Sequence, residues 1–114
     1  MKLVWSALSR ADRREIYAFI EADDPRAAIL VDERIEAATR RLIDFPDSGR
    51  VGRVEGTREL VVGRTPYILP YVVVGNEVRI LRVIHGARVW PEDFSDDETD
   101  RIASGTVDPG TSPG

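Results

Sequence analysis

The chain has no cysteine, one histidine, one lysine and one methionine among its 114 residues. Without cysteine there can be no disulfide, zinc–thiolate site or thiol nucleophile, and the composition fits a reducing compartment. A single imidazole, His85, cannot build a multi-histidine metal centre, and no carboxylate stands at ligand spacing beside it. No metal and no cofactor is expected. No apolar run approaches the roughly 20 residues of a spanning helix. The stretch Met1–Leu8 is short and gives way at once to Arg10, Asp12, Arg13 and Arg14, unlike a secretory signal. A cytoplasmic protein without a membrane partner is expected. There is no Gly-x-Gly-x-x-Gly or P-loop sequence, which argues against the nucleotide-binding enzymes that use them. No Ser-His-Asp arrangement can be inferred either.

What is present suits one small globular domain: 42% hydrophobic and 32% charged residues in a chain too short for two ordinary domains. The net charge of −4 hides an asymmetry. Residues 92–114 hold seven acids against Arg101 alone, whereas residues 50–91 hold seven arginines against Glu55, Glu59 and Glu77. The second half of the body is basic and the tail acidic. Fifteen of the sixteen cationic side chains are arginine, so surface positive charge is almost all guanidinium, suited to phosphate and carboxylate recognition.

Along the chain, Lys2–Ser6 reads as a short strand and Ser9 as an N-cap. Ile16, Phe19 and Ile20, with Tyr17, give a helical stripe over residues 10–22. Asp23-Asp24-Pro25 breaks and restarts the helix, with Asp24 as cap and Pro25 at the first helical position. Ala28, Val31, Ile35, Ala38, Leu42 and Phe45 mark the apolar face of a second helix that ends at Pro46. The two form a helical hairpin. A glycine-rich loop spans Asp47–Thr57. Three strands follow at Arg58–Val62, Tyr67–Val74 and Glu77–His85, with a tight turn at Gly75-Asn76. The order β-α-α-β-β-β predicts an α+β fold, the hairpin packed on one face of an antiparallel sheet. Residues 1–94 form the domain. Asp93–Ile102 could add a helical turn, and the acidic tail, residues 95–114, is expected to be disordered.

The residues with chemistry to offer are few. His85 at a strand end is either a general acid or base near neutral pH or a structural hydrogen-bonding residue. Asp23-Asp24 and Asp96-Asp97 have capping and solvation to account for them. Arg50, Arg53, Arg58, Arg64, Arg79, Arg82 and Arg88 could line a cationic groove for phosphate or an acidic protein. Arg82, between Leu81 and Val83, needs a partner such as Glu59 or Glu77, or a wet groove. Trp5, Tyr17, Tyr67 and Tyr71 read as core or edge aromatics. Trp90, beyond the last strand and beside Arg88, is the best candidate for an exposed stacking surface.

Taken in order, several segments resemble the RelE/ParE toxin superfamily, and its ParE branch most. These are Pro25-Arg26-Ala27-Ala28, Leu42 to Arg50, Arg58-Glu59-Leu60-Val61-Val62, Tyr67-Ile68-Leu69-Pro70-Tyr71 and Ile80 to Arg88. The resemblance covers about residues 3 to 94. It implies a toxin neutralised by a cognate antitoxin. RelE-like members cleave messenger RNA on the ribosome, and ParE-like members poison DNA gyrase and need no nuclease site.

RelE-like enzymes carry an arginine three residues before a tyrosine. Tyr71 matches the tyrosine, but Ile68 stands at the arginine position. Where they place basic residues on the preceding strand, this chain has Glu59 and Val61. Arg88 fits their catalytic arginine. His85 falls near a position where some carry a histidine acid, and Trp90 falls where some use tyrosine. A nuclease would therefore rest on Arg88, His85 and Arg82. Gyrase binding would use some of Arg50, Arg53, Arg58, Arg64, Arg82, Arg88 and Trp90. A third reading is a non-toxic module that only binds the antitoxin.

Overall fold

A computed structural model describes residues 1–94. The expected tail, and most of the possible helical turn at its start, lie outside the described residues. The elements are β1 (Lys2–Trp5), α1 (Ala7–Glu21), α2 (Pro25–Asp44), β2 (Arg50–Val51), β3 (Arg58–Val61), β4 (Tyr67–Val74), β5 (Glu77–Ile80) and β6 (Ile84–His85). The α+β reading and the helical hairpin are as expected. Four details differ.

First, α1 begins earlier than its apolar stripe suggests. Ser6, not Ser9, is the N-cap: its hydroxyl accepts from the Ser9 N–H at 3.0 Å. Ser9 is fully buried and returns a bond to the Ser6 carbonyl at 2.8 Å. The α2 cap is as predicted, with the Asp24 carboxylate accepting from the Ala27 N–H at 3.2 Å and Pro25 opening the helix; such caps contribute about 1 kcal/mol. Ala28, Ile35, Ala38 and Leu42 are buried along one face, but Phe45, at the C-cap, is exposed.

Second, the sheet is mixed. Its order is β1-β5-β4-β3-β2, with β6 also on β4. The short links make β3, β4 and β5 antiparallel, whereas β1 lies parallel to β5, with Lys2 opposite Glu77 and Trp5 opposite Ile80. The long path through the hairpin frees β1 from the short-loop constraint that imposes antiparallel pairing. Third, the glycine-rich loop adds a short edge strand, β2, on β3.

Fourth, the expected strand Glu77–His85 is broken. The cause is Pro70 in the middle of the sheet. Its carbonyl accepts from the Leu81 N–H at 2.9 Å, but proline has no N–H to return. The Leu81 carbonyl is satisfied by the Ser6 hydroxyl instead, at 2.8 Å. Arg82 and Val83 then bulge out before Ile84 rejoins β4 opposite Ile68.

The core lies between the helices and one sheet face: Ile35, Ala38 and Leu42 pack with Leu60, Leu69, Tyr71, Val78 and Ile80. Burying each large side chain contributes about 2 kcal/mol. Tyr71 is fully buried, and its hydroxyl donates to the Pro46 carbonyl at 2.7 Å and accepts from the Gly49 N–H at 3.0 Å. A Cβ at Gly49 would lie 2.6 Å from that ring and hydroxyl, so the close approach requires glycine. Among the described residues no helix is long and apolar enough to cross a membrane.

Candidate functional site

The bulge sets up the main site. Asp12 on α1 reaches across to the chain that Pro70 released. Its carboxylate accepts from Arg82 Nε at 2.7 Å, Arg82 Nη2 at 3.0 Å and the Val83 N–H at 2.9 Å. This two-pronged ion pair ties α1 to the sheet edge. Arg82 is thus paired with neither Glu59 nor Glu77.

Beyond this bridge a groove of about 650 Å³ opens between α1 and the chain from Arg82 to Pro91. Asp12, Glu15, Ile16 and Phe19 form one wall, Val83, Ile84, His85, Arg88, Val89 and Pro91 the other, with Tyr67 also lining it. Phe19 is 75% exposed and Val89 97% exposed. Arg88 is exposed, with no side-chain hydrogen bond or ion pair among the described residues. His85 stands edge-on to Tyr67, ring centroids 5.7 Å apart. Its Nδ1 accepts from the Ala87 N–H at 3.1 Å, which places the proton of the neutral ring on Nε2.

A second cluster lies over the sheet face away from the helices. Glu59, 2% exposed, accepts from Arg50 Nη2 at 3.0 Å, from the Arg53 N–H at 2.8 Å and from Arg53 Nε at 3.0 Å. Burial pushes this carboxyl upward; the hydrogen bonds from Arg53 and Arg50 outweigh that and hold it below its ordinary value. The Arg53 guanidinium stacks on Trp90 at 3.7 Å. The Trp90 indole N–H donates to the His85 carbonyl at 3.3 Å, which also accepts from the Arg88 N–H at 3.0 Å. Arg53 and Trp90 therefore pin the loop that presents Arg88.

The sequence-derived candidates separate into groups. Arg82, His85 and Arg88 meet at the groove. Arg50, Arg53 and Trp90 meet around Glu59. Arg58 stands apart from both, donating to the Gly49 carbonyl at 2.8 Å. So does Arg64, a surface residue at positive φ (62°) whose carbonyl accepts from Arg34 at 3.3 Å. Asp12 and Phe19 were not legible as site residues. Asp12 lies 70 positions from Arg82, and Phe19 reads as part of a buried stripe. Among the described residues no cluster of histidine and carboxylate could hold a metal ion.

Comparison with known proteins adds to this geometry. The model of the family described as "ParE toxin of type II toxin-antitoxin system, parDE" matches residues 3–90. Y4kP of Sinorhizobium fredii is 49% identical over 86 residues, covering 75% of this chain and 86% of that protein. Toxin RelE2 of Caulobacter vibrioides is 34% identical over 88 residues, covering 77% of this chain and 98% of the relative. A solved structure titled "Chromosomal ParDE TA system from P. aeruginosa" superposes with a TM-score of 0.69 at 30% identity, covering 75% of this chain and 95% of that one.

Proposed function

The chain belongs to the ParE toxin family of type II toxin–antitoxin systems, and from that premise we propose that it acts in the cytoplasm by binding DNA gyrase, with a cognate antitoxin neutralising it. The observation that carries this reading is the content of the groove. RNA cleavage through the ribose 2′-hydroxyl needs a base, a cation on the developing charge and an acid for the leaving oxygen. Arg88 can supply the cation. Arg82 is engaged by Asp12. Ile68 is buried opposite Ile84 and offers no charge at the position where RelE-like enzymes carry arginine. What the groove does present is exposed Phe19 and Val89 beside the Arg88 guanidinium, which has no partner among the described residues. Apolar anchors with arginine are characteristic of protein-docking surfaces.

Purified protein should block supercoiling by gyrase or trap cleaved DNA. Arg88→Ala should weaken this about tenfold, the loss typical of an interface arginine, without lowering the unfolding temperature. Undiminished supercoiling at excess protein, with gyrase from the host, would refute the proposal. The solved ParDE system supports an antitoxin partner. Co-purification with the product of the adjacent reading frame tests it.

A ribosome-dependent mRNA endonuclease is the second reading. It is favoured by one observation, that His85 and Arg88 line the same groove. It predicts codon-positioned cuts in translated messages that Arg88→Ala abolishes.

A further inference from the structure

Most of the arginines near the groove and the sheet have carboxylate partners. Arg50 and Arg53 share Glu59, Arg79 pairs with Glu77, and Arg82 pairs with Asp12. Arg10 and Arg14 differ. They lie one turn apart on α1, are exposed, and have no hydrogen-bond or ionic partner among the described residues. They line a cavity of about 450 Å³ with Trp5, Arg13, Tyr17 and Asp32.

Asp32 is the one carboxylate in that lining, and Arg13 holds it at 2.7 and 3.2 Å. Arg13 also reaches Glu36 at 2.7 Å and sits 4.9 Å over the Trp5 ring. The cavity therefore offers two uncompensated guanidinium groups beside a phenol, with no free carboxylate of its own. Guanidinium forks in that setting suit a string of carboxylates or phosphates.

The same chain carries such a string. Asp96, Asp97, Glu98 and Asp100 fall within five residues, beyond the last described residue, Phe94. The family match stops at residue 90, and 98% of the Caulobacter relative RelE2 lies within its 88 matched residues. The fold common to the family does not need the acidic segment. The span required is short. Asp96 to Asp100 lie two to six residues beyond Phe94 and reach at most roughly 7–22 Å from it, and Pro91, three residues before Phe94, already lines a groove with Asp12 and Glu15 of α1. Covalent attachment over so short a span holds those charges at an effective concentration on the order of millimolar. This favours the covalently attached polyanion over a free nucleic acid.

We propose that the acidic segment from Asp96 to Asp100 docks on the Arg10–Arg14 flank of α1 and screens it from other anions. The docking is independent of what the toxin targets.

The absence of cysteine makes the test clean. A nitroxide is attached at Ser104→Cys in the full chain, and amide spectra are compared before and after the label is reduced. Amides of residues 10–17 should lose most of their intensity at low salt. They should recover in 0.5 M NaCl, where the screening length falls to about 4 Å. Arg10→Ala with Arg14→Ala should abolish the loss and leave other signals in place. Broadening confined to the residues next to Phe94, centred on Arg88, or indifferent to the double substitution overturns the proposal.

Isotope-enriched unlabelled chain mixed with spin-labelled chain provides the second arm. Broadening there assigns the contact to another copy and equally overturns it. The third arm uses a single-stranded oligonucleotide. It should bind about tenfold more tightly once Asp96, Asp97, Glu98 and Asp100 are replaced by their amides, given the tail's effective concentration. Equal affinity, with the contact still mapping to Arg10 and Arg14, makes nucleic acid the occupant instead.

Discussion

Glu59→Gln tests the energetics of the fold most directly. In the native chain the carboxylate is 2% exposed and accepts from two arginines and the Arg53 backbone N–H. The amide keeps one acceptor oxygen and turns an NH₂ group toward donors. Removing one partner of a fully buried ion pair costs about 3–5 kcal/mol. Here the arginine side chains are 54% and 43% exposed and can rehydrate. That discount brings the expected loss to about 2 kcal/mol.

For a body of this size, that loss corresponds to a fall of roughly 8–16 °C in unfolding temperature. Circular dichroism melts at pH 7 read it directly. Tryptophan emission should shift to the red as the Arg53 stack on Trp90 loosens. The pH dependence supplies the sign. Glu59 is held below its ordinary value in the fold. Its contribution is therefore complete above the unfolded carboxyl value of about 4.3, and is lost as pH falls through the depressed folded value. The stability gap between native and variant chains should close in acid. A fall of less than about 3 °C at pH 7, or a gap that persists unchanged at low pH, would refute the reasoning.

Other substitutions probe different joints. Asp12→Ala removes the carboxylate that Arg82 grips with two N–H groups and leaves the Val83 N–H without its acceptor. It should cost about 2–3 kcal/mol, with faster hydrogen exchange at Val83 as the readout; unchanged protection there would show that the bridge is not what holds the bulge. Gly49→Ala forces a methyl against the Tyr71 ring and hydroxyl, for a loss of about 1–3 kcal/mol. Urea unfolding measures it. Leu42→Ala empties a fully buried site between helix and sheet. It should cost about 2–5 kcal/mol, and guanidinium unfolding with an unchanged slope checks that stability alone has altered.

Much of the fold was readable because its signals are local. The spacing of Ala28, Ile35, Ala38 and Leu42 is enough to define the buried face of α2. Asp24-Pro25 marks its start and Gly75-Asn76 the turn between β4 and β5. The break in the last strand also has a cause within the sequence, Pro70. Its effect appears only once Pro70 is known to face Leu81, since a proline at a sheet edge would interrupt nothing. The parallel seat of β1 left no local trace, because a long connection places no restriction on strand direction.

The site divides along the same line. The inventory was readable from the chain: one histidine, no thiol, a cationic surface of arginine with a single lysine, isoleucine at position 68, and a terminal segment rich in acid. Those are facts of composition, and they already weigh against a metalloenzyme and against a complete RelE-type nuclease. Which arginines remain available was decided only by tertiary structure. Arg82 lines the groove but is held there by Asp12. Arg50 and Arg53 converge on buried Glu59, while Arg88, Arg10 and Arg14 are left without a partner among the described residues. The reason is physical: a guanidinium is neutralised by whatever carboxylate folding brings within about 3 Å of it, and for Arg82 that carboxylate lies 70 positions away.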